Sequence, residues 1–387
     1  MIFAVSNISY YIYKCDLREK YENKYDFITG TADTALIASA AVIGGLILGG
    51  AISVGAGSVA HYFSWGLIVS SIVVIFVDGV FMIKKIVDKH QTKQELEILP
   101  INEGSLKDIS INTLALVKQG YYTNSQKIKI PLQSGDTLHM KSRVIKYDEK
   151  ELMPVVSRGY EQKIFITLKD SLVVAGESIE RNNKVAVLNF AGPEEVGGGF
   201  LDGTAGQEEK LIYRTDFESL MDYYHNEQDK NPDFKIYPLY DHLLLTQDVT
   251  VFRDSKFAAL DNPFKVGILT SAAPVPKPTF APTGFCLVGD GDDIHYEDEN
   301  TKEQLRKIIY TQLKTAYDFD YDAIVLGAFG CGAFKNPPKI IANVYREVID
   351  AYFKGAFKEI AFAILDCPQG RHNPKGNILP FKECFPD

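Results

Sequence analysis

Short apolar runs alternate with helical patterns through the last two thirds of the chain. The runs are rich in β-branched residues and cover residues 184–190, 249–252, 266–271, 323–326 and 359–365. Near-continuous apolar runs of this length are typical of central strands that are covered on both faces. Residues 301–318 and the segment from Pro338 onward carry apolar residues at helical spacing. The alternation predicts an α/β fold with helices on both sides of one sheet.

Two longer apolar runs precede this region. Residues 34–60 contain no charged residue, and residues 63–83 contain one, Asp78. Each run reaches the roughly 20 residues that a helix needs to cross a bilayer. The interpretation is a two-helix transmembrane hairpin over 34–83, with a buried hairpin in a water-soluble core as the alternative.

The charges that flank the two runs predict an orientation. Lys84, Lys85 and Lys89 follow the second run, while the turn between the runs carries no Lys or Arg. This bias places both termini and the folded domain on the cytosolic side of a multi-pass membrane protein. The predicted organisation is a cytosolic segment (1–33), the hairpin (34–83), a linker (84–105) and the α/β domain (106–387).

Charge and cysteine usage exclude some functions. The 387-residue chain carries a net charge of −9, which argues against a nucleic-acid partner, since such proteins usually present a basic face. Its five cysteines are odd in number and form no CxxC pair, so free thiols are expected and no metal site is predicted. The acidic segment 289–300 resembles a calcium loop only superficially, and a solvated insertion is expected there.

Two glycine-rich segments each follow a predicted strand. The first, over 189–209, contains Gly197-Gly198-Gly199 and, seven residues later, Gln207-Glu208-Glu209. Three successive glycines allow a backbone to lie flat against a ligand, because no Cβ intervenes. The acids alone would be explained as favourable first-turn residues of a helix.

The second segment, over 327–336, reads GAFGCGAFKN. A strand that leads through glycines into a helix can bind phosphate with backbone N–H groups. Asn336-Pro337-Pro338 predicts the start of that helix, with Asn336 as its cap. In open α/β sheets, ligands bind at the carboxyl ends of strands, where both segments are expected.

These motifs together resemble the microbial branch of the poly(ADP-ribose) glycohydrolases. The fingerprint is GGG followed after six to eight residues by QEE. Further elements occur in order: TLALVKQGYY (113–122), VAVLNFAG (185–192), VFRD (251–254), TSAAP (270–274), VLGAFGCGAFKNPP (325–338) and FAILD (362–366). The resemblance spans about residues 106–384 and implies a macrodomain-like three-layer α/β/α sandwich with an N-terminal helical extension.

The resemblance also implies a role for each motif. Glu209 would be the general acid at the ribose–ribose bond, and Glu208 and Gln207 would hold the ribose hydroxyls and steady that acid. The predicted ligand-binding residues of the two glycine segments are Gly197, Gly198, Gly199, Gly330, Cys331, Gly332 and Phe334. A general acid near neutral pH requires a glutamate whose pKa is raised by burial or by an acidic neighbour. Because N–H groups can hold a diphosphate, no cofactor or metal is expected.

One departure from the family pattern leaves the substrate open. Glu195-Val196 stands before the glycines where many relatives have Asn-Pro. The predicted reaction is hydrolysis of poly(ADP-ribose) to ADP-ribose at a membrane surface. Two alternatives remain: a mono-ADP-ribosyl-protein hydrolase, and a module that binds ADP-ribose without cleaving it. The expected partners are an ADP-ribose polymer or an ADP-ribosylated protein, and the lipid bilayer.

Overall fold

The strands and helices that the apolar pattern predicts surround one central sheet. The structure, a computed structural model, describes residues 98, 104–147, 152–194, 196–231, 234, 236–276, 284–289, 293–366 and 376–386. They lie in a unit that spans Leu96–Asp387.

The described residues form eight α-helices and eleven strands. The helices are α1 (Leu106–Gln119), α2 (Gly135–Met140), α3 (Ser171–Glu180), α4 (Gln207–Tyr213), α5 (Phe217–Lys230), α6 (Glu299–Asp318), α7 (Pro338–Tyr352) and α8 (Ile378–Cys384). The strands are β1 (Tyr121–Thr123), β2 (Lys129–Pro131), β3 (Ser142–Lys146), β4 (Lys163–Thr167), β5 (Val185–Ala191), β6 (His242–Arg253), β7 (Ala259–Ala272), β8 (Leu287–Val288), β9 (His295–Tyr296), β10 (Ala323–Leu326) and β11 (Glu359–Ala363).

Seven of these strands form a mixed sheet in the order β3-β6-β7-β5-β10-β11-β4. Strands β7, β5, β10, β11 and β4 run parallel to one another, while β6 is antiparallel to both of its neighbours. The carboxyl ends of the five parallel strands therefore meet at one edge of the sheet. In sheets of this kind that edge is where ligands bind.

Both faces of the sheet are covered, which explains the near-continuous apolar runs of its central strands. On β10, Ala323 and Val325 pack into one cluster with residues of α3, α4 and α5. Ile324 and Leu326 pack into a second cluster with residues of α6, α7 and α8. Because side chains alternate along a strand, each strand contributes to both clusters. Each apolar side chain buried in this way contributes roughly 1.5–3 kcal/mol.

The amino-terminal part of the described unit is fixed by its caps and by one buried acid. Ser105 and Asp108 form a capping box at the start of α1, and Gly120 ends the helix with a φ of 85°. Asp216 accepts hydrogen bonds from Gln133 N (3.0 Å) and Thr250 N (2.8 Å). This carboxylate joins the segment before α2 to β6.

The apolar runs predicted as strands are confirmed in β5, β6, β7, β10 and β11, and the predicted helix over 301–318 is confirmed in α6. Its expected inward face is buried, at Leu305, Ile308, Ile309, Leu313 and Ala316. Strands β3 and β4 were not predicted. Both lie at sheet edges and mix charged with apolar residues, so they lack the continuous apolar signal.

The prediction of a solvated insertion over 289–300 is wrong for part of that segment. Residues 287–288 and 295–296 pair as the strands β8 and β9. Tyr296 is buried, and its ring packs edge-on against Phe285 at a centroid distance of 5.1 Å. The acidic composition concealed this one aromatic anchor.

The predicted membrane localisation is contradicted. Within the part of the chain that the structure describes, no helix is both long enough and apolar enough to cross a bilayer. The apolar runs over 34–83, on which the prediction of a two-helix hairpin rested, lie outside the described residues.

A glycine within β7 provides a test of the packing between the sheet and α6. A Cβ added to Gly267 would overlap the ring of Tyr321, which is buried and follows α6. We expect Gly267→Ala to lower the free energy of unfolding by about 2 kcal/mol, because the ring must move in a close-packed layer. Urea unfolding of the full chain would measure the change.

Gly332→Ala is the matched control for that substitution. A Cβ at Gly332 has no atom within 4 Å, so its free energy of unfolding should stay within about 0.5 kcal/mol of the parent. Equal stability of all three proteins would show that the sheet accommodates the methyl group at Gly267.

Candidate active site

The two glycine-rich segments leave the carboxyl ends of neighbouring parallel strands. Strand β5 ends at Ala191 and β10 at Leu326, and the two strands pair in parallel. The segments are linked where the ring of Phe190 packs edge-on against that of Phe329, with centroids 6.0 Å apart. The sequence prediction that both segments occupy one edge of the sheet is confirmed.

Gln207, the first residue of α4, is bonded to the backbone of β5. Its Oε1 accepts a hydrogen bond from Phe190 N (2.9 Å), and its Nε2 donates to Leu188 O (2.9 Å). The ladder between β5 and β10 ends at Val187, so the glutamine amide takes over where strand pairing stops. A side-chain amide can do this because it carries one acceptor and two donors.

Glu208 lies beneath the glycine turn and is 4% exposed. Its Oε1 accepts from Asn189 Nδ2 (3.2 Å), and its Oε2 accepts from Gly192 N (3.1 Å). Burial, with a smaller effect from the neighbouring Glu209, outweighs the two hydrogen bonds and raises the pKa of this carboxyl to about 8. Glu208 therefore holds a proton at neutral pH.

Glu209 is half-buried and faces the glycine turn from the other side of the helix start. Its Oε1 accepts a hydrogen bond from Gly199 N at 3.0 Å. A Cβ on Gly206, the residue that precedes α4, would overlap its carboxylate. Because consecutive helical residues point about 100° apart, one glutamate is directed into the core and the next toward the sheet edge.

The glycine turn requires glycine for two separate reasons. Gly197 and Gly198 have φ values of 75° and 57°, a region that other residues rarely adopt. A Cβ on Gly198 would also lie 2.9 Å from Glu208 Oε2 and 2.9 Å from Glu209 Oε1. The two carboxylates therefore occupy the space that a side chain at Gly198 would need. The structure brings together Gly198, Gly199, Glu208 and Glu209.

The second glycine segment is held in shape by Asn336. Its Nδ2 donates to Pro274 O (2.9 Å) and Gly330 O (3.1 Å), and its Oδ1 accepts from Tyr296 OH (2.6 Å). Gly330 has a φ of 69°, and a Cβ there would lie 2.6 Å from Asn336 Nδ2. Asn336 is buried, so these bonds replace those it would make to water.

The prediction that Asn336 caps α7 is wrong. Pro337 is the residue before the helix, and no side chain makes a capping bond there. A proline needs no N–H partner at the first helical position, so the asparagine is available to bond the loop instead.

Cys331, Gly332 and Phe334 occupy different environments in this loop. Cys331 is buried, and burial raises the pKa of its thiol, so it is no thiolate nucleophile. The N–H of Cys331 donates to Ala328 O at 3.1 Å. Gly332 is exposed and Phe334 is half-buried at the surface of the apolar cluster. Within the described residues, no group of three His, Cys, Asp or Glu could hold a metal ion.

Several functional contacts come from residues that sequence reasoning did not select. Asn189 and Gly192 donate hydrogen bonds to Glu208, and both lie in the family motif VAVLNFAG over 185–192. Tyr237 carried no local signal. It is buried, and burial together with the Glu208 carboxylate raises its pKa. Glu195, the residue at which the chain departs from its family, lies outside the described residues.

Comparisons with known proteins found one family model and several solved structures that are similar to this chain. Residues 110–254 match the sequence model of the family described as microbial-type PARG, catalytic domain, where PARG denotes poly(ADP-ribose) glycohydrolase. A comparison with curated proteins found no match.

The similar solved structures include the following three. The poly(ADP-ribose) glycohydrolase from Thermomonospora curvata is 25% identical with a TM-score of 0.58, and the match covers 72% of this chain and 99% of the other. Its complex with the inhibitor ADP-HPD is 26% identical, with a TM-score of 0.56 and the same coverage. The Deinococcus radiodurans enzyme in complex with ADP-ribose is 24% identical, with a TM-score of 0.50, covering 66% of this chain and 99% of that one.

The mixed sheet, the paired glutamates and these matches define an enzyme of the glycosidase class. Residues 110–254 match the microbial-type PARG catalytic domain, and the fold is similar to that of bacterial poly(ADP-ribose) glycohydrolases, so the predicted resemblance is confirmed.

The buried Glu208 predicts how stability depends on pH. Its folded-state pKa of about 8 lies above the ordinary value of 4.5, so between these values the folded protein holds a proton that the unfolded chain has lost. Its contribution to stability is therefore lost as the pH rises through this window, by on the order of 2–4 kcal/mol. Glu208→Gln cannot ionise and should lack this component.

Urea unfolding of the parent and of Glu208→Gln at pH 5, 6.5 and 8 would measure this pH-dependent part of the free energy of unfolding. The difference in free energy of unfolding between variant and parent should shift in favour of the variant as the pH rises. Parallel pH profiles for the two proteins would mean that Glu208 titrates at an ordinary value in the folded state.

Proposed function

We propose that this chain hydrolyses ribose–ribose O-glycosidic bonds in poly(ADP-ribose) and releases ADP-ribose. The observation that carries the proposal is the pair Glu208 and Glu209, one buried and one half-buried, whose carboxylates both fill the space beside Gly198 that a Cβ would take. The similar enzyme from Thermomonospora curvata binds the inhibitor ADP-HPD, and the Deinococcus radiodurans enzyme binds ADP-ribose. We assign residues 106–387 to one macrodomain-like catalytic domain.

Glu209 is the general acid in this proposal, because its carboxylate is only half-buried, where a ligand can reach it. The raised pKa expected of the acid is found instead at the adjacent Glu208, which is buried and bonded to Asn189 and Gly192. Glu209 would transfer its proton to the bridging oxygen as the bond between that oxygen and the anomeric carbon breaks. The ribose then carries oxocarbenium character, and a water molecule adds its oxygen to the anomeric carbon. The proton lost by that water returns the carboxylate of Glu209 to its acid form, so the cycle needs no cofactor.

Glu208 positions Glu209 and limits the negative charge of the glutamate pair. Its burial and its bonds to Asn189 and Gly192 keep its carboxyl away from the sheet edge. Because Glu208 is protonated near neutral pH, the pair adds less negative charge beside a diphosphate than two carboxylates would. Gln207 is bonded to β5, so we assign it to anchoring the helix start rather than to a lasting contact with ribose.

The glycine segments would bind the remainder of the ligand. Gly197–Gly199 would pass beside the distal ribose, and Phe334 would pack against a ribose from the other segment. Since the N–H of Cys331 is bonded within its own loop, we expect the N–H groups of Gly330 and Gly332 to hold the diphosphate. The hydrogen bonds of Asn336 to Pro274 O and Gly330 O hold this loop in a fixed conformation before any ligand binds.

Substitution of the acid tests the assignment. We expect Glu209→Gln to lower the release of ADP-ribose from poly(ADP-ribose) by about 10²- to 10⁴-fold, the usual contribution of a general acid. The full chain and its variant would be incubated with purified polymer, and free ADP-ribose would be quantified by chromatography. Glu303→Gln, on the exposed face of α6, is the matched control and should retain full activity.

A second substrate separates the proposal from its rivals. The same proteins would be incubated with a mono-ADP-ribosylated protein. Release from the modified protein alone would identify a mono-ADP-ribosyl hydrolase. Tight binding of ADP-ribose with no release from either substrate would identify a binding module and would refute the role given to Glu209.

Gly198→Ala tests whether the turn positions the carboxylates. The new Cβ would displace both of them, and a shift of about 1 Å at a catalytic group can cost roughly 100-fold in rate. Gly159→Ala is the matched control, since Gly159 also has a positive φ, 73°, but nothing lies within 4 Å of its Cβ position. A similar loss of activity in both variants would trace the effect to backbone strain instead.

A further inference from the structure

A cavity lies between helices α3 and α4, and the proposed reaction does not use it. It is bounded by the start of α3, by the outer face of α4 and by the turn between β6 and β7, and its volume is about 350 Å³. That volume is within the usual range of small-molecule sites. Lys210, which lines it, directly follows Glu209 in the chain, so the cavity and the proposed acid share helix α4.

The cavity is lined by a buried arginine, Arg214, whose side chain is held by an ion pair and a backbone hydrogen bond. The side chain of Arg214 is 4% exposed and forms an ion pair with Asp170. Its Nε donates to Arg253 O at 3.3 Å. Asp170 in turn caps α3 by accepting from Leu172 N and Val173 N. A guanidinium has five N–H donors, and among the described residues no acceptor bonds Arg214 Nη2.

Lysines add charge at the rim. Lys169 is paired with Glu177 at 2.6 Å, whereas Lys210 has no ion pair among the described residues. The lining thus carries three cations against the single carboxylate of Asp170. Ser255 adds a hydroxyl at the mouth. This combination of a buried guanidinium, a lysine and a hydroxyl suits an anion with several acceptor oxygens.

The remaining lining residues, Val173, Phe257 and Leu365, are apolar. An inorganic anion alone gains nothing from such residues, whereas a phosphate that carries a nucleoside can place its apolar part against them. We propose that this cavity binds the phosphate-bearing part of a nucleotide, with Arg214 and Lys210 on the phosphate and Phe257 beside the nucleoside.

Such a phosphate could come from a free nucleotide or from a further unit of an ADP-ribose polymer. The second source rests on the proposed function, and the first does not. The cavity shares its frame with the catalytic helix, because Ser171, next to Asp170, lies 3.4 Å from Gln207 Nε2. A ligand in the cavity could therefore affect Gln207, which fixes the start of α4.

Lysine acetylation read by mass spectrometry localises the ligand. The full chain with Glu209→Gln, which should not consume polymer, would be acetylated alone and in the presence of pyrophosphate, ADP or poly(ADP-ribose). At a concentration of ADP ten times its Kd, we expect Lys210 to be acetylated about tenfold more slowly. Lys163, exposed at the first position of β4 and absent from the lining, is the internal control and should be unaffected.

Two substitutions connect protection to this cavity. Ser255→Trp, at an exposed position of the mouth, should block entry and abolish the protection of Lys210. Lys210→Gln should weaken the binding of ADP about tenfold by calorimetry, the effect of one charge-assisted hydrogen bond, while Lys163→Gln leaves it unchanged. Protection that persists in Ser255→Trp would place the ligand elsewhere and would overturn the proposal.

The outcomes separate this proposal from the proposed function. Protection by ADP or pyrophosphate supports a site for free nucleotide phosphate, and protection by polymer alone supports a substrate subsite. If no probe protects Lys210 while the parent chain cleaves polymer, the cavity proposal fails and the proposed function stands. If ADP protects Lys210 while polymer is not cleaved, the proposed function fails instead.

Discussion

The site depends on one side-chain amide that continues a β-ladder. Gln207 bonds Phe190 N and Leu188 O at the point where β5 has lost its pairing with β10. Without it, two buried backbone groups would lack partners, at a cost of about 1–3 kcal/mol each. The same two bonds fix the axial position and rotation of α4. Every contact of Glu208 and Glu209 follows from that placement.

Because Gln207 fixes the start of α4, the next two residues, Glu208 and Glu209, point into different environments. Glu208 is directed into the cluster below, where burial raises its pKa to about 8. Glu209 is directed toward the edge, where Gly199 N bonds it. Neither carboxylate could occupy its position if the facing residue carried a Cβ, which explains why glycines and acids occur together in the sequence. The turn and the helix start are complementary surfaces of one site.

Much of the fold was predictable because its central strands are buried on both faces. A strand such as β10, AIVL, has no polar side to obscure the signal, and amphipathic α6 showed its inward face directly. The edge strands β3 and β4 carry solvent-facing charge and were missed. Tyr296 was hidden in an acidic segment, since one buried aromatic residue leaves no periodic pattern. Long apolar runs predict burial, but they do not state whether lipid or protein provides it.

The site was predictable as a set of residues but not as an arrangement. Spacing identified the glycines and the acids, and family resemblance assigned their roles. Which glutamate would carry the raised pKa depended on the rotation of α4, which only the contacts of Gln207 determine. Asn336 was placed at the correct turn for the wrong reason, because its bonds reach Tyr296 and Pro274, residues distant in the chain.

The internal bonding of Asn336 has a consequence for how tightly a ligand could be held. One buried amide ties three separate stretches of chain, so the loop after β10 has already lost its conformational freedom during folding. A loop ordered only by its ligand would spend part of the binding free energy on that ordering. In this protein the loop is already ordered when the domain folds. The free energy of ligand binding is therefore not reduced by the entropy of ordering this loop.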